Sequence, residues 1–106
     1  YSAMAYPGSQ LYPLAQKNKW KLPDDKSGPG WIGYSQHSYD TLPLRTNHLK
    51  ASEVLEFRDK AFDIYFNNND YLSMIEKKFG ISTRDHISKM SKHKLKRRHQ
   101  FEDVSY

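Results

Sequence analysis

The side chains in this sequence best equipped for chemistry are cations and aromatic rings. Between Ile81 and His99 stand seven basic residues, Arg84, Lys89, Lys92, Lys94, Lys96, Arg97 and Arg98, against one acid, Asp85. That surplus exceeds the net charge of the whole chain, +5. A helix bearing the patch Lys92, Lys94, Lys96, Arg97 and Arg98 can track phosphates, with contacts that weaken steeply as salt rises. No helix-turn-helix spacing, aromatic RNA-binding signature or zinc-finger pattern accompanies it. A solvated helix end, or one docked on an acidic surface, is the weightier reading.

Other chemistries find less support. The histidines are His37, His48, His86, His93 and His99. His86 and His93 lie two turns apart on one helix face, too far to share an ion, so no metal site is expected. The carboxylates fall in a Pro/Gly/Lys turn (Asp24, Asp25) or on a polar helix face (Glu56, Asp59, Asp63). Neither setting is apolar enough to raise a catalytic pKa. No nucleophile elbow occurs, and Pro7-Gly8-Ser9 has too few glycines for a nucleotide fingerprint. The chain has no cysteine, which excludes disulfides, thiolate metal sites and thiol catalysis. No catalytic residue is expected. Trp31, Tyr34, Tyr39 and Arg45, with His37 among them, could line a stacking surface for a base or flat cofactor. Packing inside a small domain is the commoner fate of such rings.

These residues need elements to hold them. Residues 2–6 read as a short strand stopped by Pro7-Gly8, and Ser9 as the N-cap of a helix through Trp20, with Pro13 disturbing its first turn. Residues 21–49 hold Pro23, Pro29 and Pro43 and three of the five glycines, yet also Trp31, Tyr34 and Tyr39. Disordered segments are poor in aromatics, so an ordered irregular loop is expected. From Ala51 to Asn67, at about 100° per residue, Val54, Leu55, Phe57, Ala61, Phe62, Ile64, Tyr65 and Phe66 share one arc. Arg58 falls near the centre of that arc, where a cation needs hydrogen-bonding partners. It is expected to be a structural clamp on the aromatic loop, with Asp40 or loop carbonyls as partners. Asn67-Asn68-Asn69 should end this helix and cap the next, about 70–79, with Gly80 closing it. Ser82-Thr83-Arg84-Asp85 suggests a capping box for a last helix running to about Arg98.

At 106 residues and a mean hydropathy of −0.93, one small domain is expected, its core enriched by two Trp, eight Tyr and five Phe. No stretch approaches the roughly 20 apolar residues of a membrane span. With no signal-peptide pattern either, a cytoplasmic protein without membrane contact is expected. The opening Tyr-Ser-Ala-Met-Ala, without an initiating Met, reads as part of a longer protein.

Three stretches resemble the C-terminal part of radical S-adenosylmethionine proteins, in particular the cobalamin-binding group related to anaerobic magnesium-protoporphyrin ester cyclases. They are Ala3-Met4-Ala5-Tyr6-Pro7-Gly8-Ser9-Gln10-Leu11-Tyr12, then Trp31–Tyr39 with Pro43-Leu44-Arg45-Thr46, and then Val54–Phe62 with Tyr65-Phe66, Tyr71-Leu72 and Lys78-Phe79-Gly80. The resemblance implies a mainly α fold: three to four helices, a long ordered loop and one N-terminal strand left from a truncated α/β barrel. Residues 1–20 would be the last strand and helix of the barrel, 21–49 the aromatic loop, 50–98 a helical extension and 99–106 a frayed tail. Tyr6, Gly8, Ser9, Trp31, Tyr34, His37 and Tyr39 would then lie at the substrate or cofactor rim. The partner would be an upstream barrel of the same polypeptide, carrying a 4Fe-4S cluster and S-adenosylmethionine, with cobalamin left open. The family's CxxxCxxC motif is absent, and thiolates are the cluster's ligands. The expected function is therefore a substrate-side accessory domain, inactive alone and holding no cofactor itself. The alternative is a small basic nucleic-acid-binding module.

Overall fold

A single glycine divides the last helical stretch in two. Gly80 adopts φ +94°, a conformation that L side chains rarely take, and its N–H still bonds Glu76 O at 2.9 Å. The computed structural model describes residues 1–99. Among them are α1 (Leu11–Lys17), a 3-10 turn (Trp31–Tyr34), α2 (Ala51–Phe66), α3 (Asn69–Phe79) and α4 (Ile81–Ser91). The fold is mainly helical. The chain divides into two units, Tyr1–Arg58 with the segment returning at Leu95, and Asp59–Lys94.

The core of the first unit is Ala5, Ala15, Leu22 and Leu44, with Leu11, Tyr12 and Trp20 packed against it. The helix through Trp20 is shorter than its apolar pattern suggests. Lys19, at φ 57°, turns the chain out of α1, with Trp20 N–H on Ala15 O (2.9 Å) and Lys19 N–H on Gln16 O (3.0 Å). That bond pair is the Schellman ending, and it delivers Trp20 to the core. Ser9 does not cap α1; its hydroxyl instead donates back to Tyr6 O at 2.6 Å, and Gln10 holds the N-cap position.

No strand forms among the described residues. Residues 2–6 make one backbone bond to a distant segment, Leu44 N–H to Ala3 O at 3.2 Å. A side chain takes the place of a ladder at Ser2: Gln36 Oε1 accepts from Ser2 N–H (3.1 Å) and Gln36 Nε2 donates to Ser2 O (3.0 Å). Without a neighbouring strand, the alternating apolar residues of this run have no ladder to join.

α2 starts as its sequence suggests, with Glu53 accepting from Lys50 N–H at 2.8 Å, the reaching-back half of a capping box. Its apolar arc is largely unburied. Only Ala51 and Leu55 are buried, whereas Phe57 is 75% exposed and Ile64 64%. In the second unit the packed rings are Phe62, Tyr65, Phe66 and Tyr71, at centroid distances of 4.6–5.7 Å. Asn68 caps α3 as expected, its Oδ1 accepting from Tyr71 N–H at 3.0 Å. Leu72 and Ile75 are buried there.

α4 departs from the sequence reading at both ends. It begins at Ile81, directly after Gly80, so Ser82 lies inside the helix and makes no cap. It stops at Ser91, well short of Arg98. Ser91 is buried and its hydroxyl bridges Ser88 O (2.9 Å) and Asn67 Oδ1 (3.1 Å), while Lys94 pairs with Asp63. Cations at a helix C-terminus favour the helix, but here tertiary partners recruit the chain away from it. The expected tail 99–106 falls, from residue 100 on, outside the described residues.

Candidate functional site

The best-organised polar group in the first unit is one carboxylate held between two phenols. Tyr12 comes from α1 and donates to Asp24 Oδ2 at 2.7 Å; Tyr34 ends the 3-10 turn and donates to Asp24 Oδ1 at 2.6 Å. Asp24 is placed by the turn around it. Asp25 Oδ2 accepts from Leu22 N–H (2.8 Å), Asp25 N–H bonds Leu22 O (3.1 Å), and Gly30 N–H bonds Pro23 O (2.8 Å). Tyr34 is placed by Gly33, where any Cβ would stand 2.6 Å from Pro23 Cβ and 2.7 Å from Pro29 Cγ. Both prolines press on that glycine, and Gly33 O accepts from Leu42 N–H at 2.9 Å.

The electrostatics follow from this geometry. Burial alone would raise the Asp24 carboxyl, but the hydrogen bonds from Tyr34 and Tyr12 outweigh it and hold the group below the ordinary carboxylate value. Tyr34 is pushed well above an ordinary phenol, first by burial and then by its bond to ionised Asp24. Tyr12 is raised chiefly by its bond to Asp24. At neutral pH the network is one ionised acceptor between two protonated donors. Each carboxylate oxygen accepts from one phenol, so the group orders the two rings around it. In a spectrophotometric alkaline titration, Tyr12 and Tyr34 should ionise above the ordinary phenol value. Substituting Asp24 by Asn should bring both back toward the common value. A single phenol transition at the ordinary position, unchanged by the substitution, would refute the network.

Tyr34 carries a ring cluster. Tyr6 lies 5.3 Å from it and Trp31 5.8 Å, centroid to centroid. Gln36 Nε2 donates to Tyr6 Oη at 3.3 Å, so the amide that braces Ser2 also holds this phenol. Trp31 remains 72% exposed. Of the rim residues named from sequence, Tyr6, Trp31 and Tyr34 are thus brought together. Gly8 and Ser9 lie in the turn that follows Tyr6. His37 sits instead against Tyr1, at 5.6 Å, and Tyr39 lies beneath Arg98, whose guanidinium carbon is 5.4 Å from the ring centroid.

Comparison with protein-family models, curated proteins and solved structures finds no match. The site therefore stands on its own geometry.

Arg58 is half-buried, with its guanidinium carbon 5.9 Å from the Tyr1 ring centroid. Two other arginines contact the loop 36–40. Arg97 is 2% exposed and its Nη1 donates to Gln36 O (2.8 Å) and Ser38 O (2.9 Å). Arg98 N–H donates to Tyr39 O at 2.9 Å, and its Nη1 stands 3.3 Å from Asp40 Oδ1, a charge contact without hydrogen-bond alignment. The basic patch is therefore not a helix face. Lys92, Lys94 and Lys96 are exposed, whereas Arg97 is inside the fold and Arg98 faces Asp40.

Tyr12, Asp24 and Gln36 are the residues sequence reasoning missed, and Arg97, named in the basic patch, has a different role. Asp24 reads as an exposed turn acid, Tyr12 as ordinary helix packing and Arg97 as one cation in a run. Their roles come from partners distant in the chain, which no local pattern reports. Among the described residues no group of three or more His, Asp or Glu is placed to hold a metal ion. No helix among them is long and apolar enough to cross a membrane.

Proposed function

We propose that this chain is the substrate-side accessory region of a radical S-adenosylmethionine enzyme, presenting an aromatic surface and performing no chemistry alone. The observation that carries this reading is the Tyr6–Tyr34–Trp31 cluster backed by the Tyr12–Asp24–Tyr34 network. It is a partly exposed ring surface whose nearest carboxylate, Asp24, is engaged by two phenols. Such surfaces hold flat or apolar groups by stacking and leave bond-breaking to another centre. The sequence resemblance names that centre as an upstream barrel of the same polypeptide. An iron–sulfur cluster does not fit this chain's own residues, because thiolate ligands are lacking. The cluster and S-adenosylmethionine would belong to the barrel.

The polypeptide upstream of Tyr1 should carry a CxxxCxxC motif. In that complete enzyme, Trp31→Ala should raise KM for substrate about tenfold or more while leaving reductive cleavage of S-adenosylmethionine intact, since a lost stacking contact costs about 1–3 kcal/mol. No upstream motif, or a stable cluster absorbance when this chain alone is reconstituted with iron and sulfide, overturns the reading.

The nucleic-acid alternative keeps the exposed Lys92, Lys94 and Lys96, yet has lost the helix that was to present them. It would require oligonucleotide binding with a steep salt slope that replacing those lysines abolishes.

A further inference from the structure

We infer that residues 95–98 form a strap whose docking sets the conformation of loop 36–40 and, through it, of the aromatic cluster. The strap engages four of the five loop residues in succession. Arg97 Nη1 holds the carbonyls of Gln36 and Ser38, Arg98 N–H holds the carbonyl of Tyr39 while its guanidinium covers the Tyr39 ring, and Arg98 Nη1 faces Asp40. Gln36 passes the constraint on, since its side-chain amide holds both polar groups of the Ser2 backbone and the Tyr6 hydroxyl. The Tyr6 ring packs on Tyr34. A continuous series of contacts thus runs from the C-terminal arginines to the exposed ring surface.

The local balance makes the strap releasable. Residues 36–40 have few bonds of their own: Ser38 N–H to Ser35 O at 3.2 Å, and the Ser38 hydroxyl to Ile32 O and Ser35 O. Thr41 N–H also reaches Ser38 O at 3.4 Å; residues 36–40 lie in neither helix nor strand, and Gln36, Ser38 and Tyr39 all retain solvent exposure. The strap approaches through Lys92–Lys96, which has no helix after Ser91 and three exposed lysines. Arg97 has to be desolvated to dock, and a buried guanidinium needs hydrogen-bond acceptors in the right register, among them the carbonyls of Gln36 and Ser38. Docked and undocked states are therefore discrete, with the buried cation as the latch. This inference holds whatever the ring surface binds.

Amide hydrogen exchange on the whole chain tests it. In Arg97→Ala, the amides of Ser38, Thr41 and Leu42 should exchange about 10–100-fold faster, the effect of losing hydrogen bonds to a charged group. Those of α3 and α4 should be unchanged. Added guanidinium at low millimolar concentration should restore protection by occupying the vacated site. If Arg97→Ala does not fold, Arg97→Lys and Arg98→Ala carry the test, each expected to loosen the same amides by a smaller factor. Unchanged protection at 38–42 in the folded variants overturns the strap. So does an equal loss across α1 and residues 22–30, which would make Arg97 a general core cation.

Discussion

Replacing Asp24 by Ala should unfasten the aromatic surface and lower stability by about 1–3 kcal/mol from the Tyr34 hydroxyl alone, because a buried donor left without its acceptor bears its full desolvation cost. Tyr34 is buried at 7% exposure, and its hydroxyl donates to Asp24 Oδ1 at 2.6 Å. Releasing the phenol frees the ring against which Tyr6 and Trp31 pack, so Trp31 emission and near-ultraviolet circular dichroism should change together. Asp24→Asn, which keeps one acceptor oxygen, should cost less. The acid limb supplies an independent check. The folded carboxyl lies below its ordinary 3.8, so its contribution is complete above that value and disappears as pH falls through the lower, folded value. Wild type should lose this increment on acidification, and Asp24→Asn should lack that part of the pH dependence. Parallel acid-unfolding curves for the two proteins would show that Asp24 carries no such linkage.

Leu22→Ala should be the more damaging core substitution, at about 2–5 kcal/mol. Leu22 is 1% exposed among Ala5, Ala15 and Leu44, and two of these neighbours are alanines with no side-chain freedom to fill the cavity. A loss of that size is a large share of the roughly 5–15 kcal/mol that holds a small domain folded. Leu22 also joins core to site. Its N–H is bonded to Asp25 Oδ2 and its carbonyl to Asp25 N–H, so its displacement moves the turn that aims Asp24. Denaturant unfolding followed by tryptophan emission should show a lower midpoint, with Trp20 reporting the core directly. A loss below about 1 kcal/mol would mean that the site collapses around the cavity and the core is softer than its burial implies.

Local physics was readable in advance where one or two neighbours settle the matter. Asn68 before an apolar-periodic run made α3's start legible, as Gly80 did its end. Glu53 signalled the entry to α2. The aromatic content of residues 21–49 pointed to order, and this segment does hold Tyr34, Gly33 and Leu42 inside the fold. Periodicity misled where it depends on what lies opposite. The arc of α2 has the right spacing for a buried face, yet Phe57 and Ile64 remain exposed. An amphipathic pattern states which side of a helix is apolar, and a partner decides whether that side is covered.

The sequence by itself determined a mainly helical chain, the start and end of α3, the aromatic-rich loop and the absence of thiolate chemistry. Each of these depends on residue identity or on neighbours within about one helical turn. Only the tertiary structure decided which acid and which arginine matter. Asp24 meets Tyr12 and Tyr34 across 12 and 10 residues, and Arg97 reaches Gln36 across 61. Hydrogen bonds to buried charges are won by whichever donor the packed chain brings within about 3 Å, and no spacing rule encodes that distance. The basic run at the C-terminus is the plainest case. Its composition specified positive charge, while packing sent Arg97 inward to two carbonyls, paired Lys94 with Asp63 and left Lys92 and Lys96 exposed.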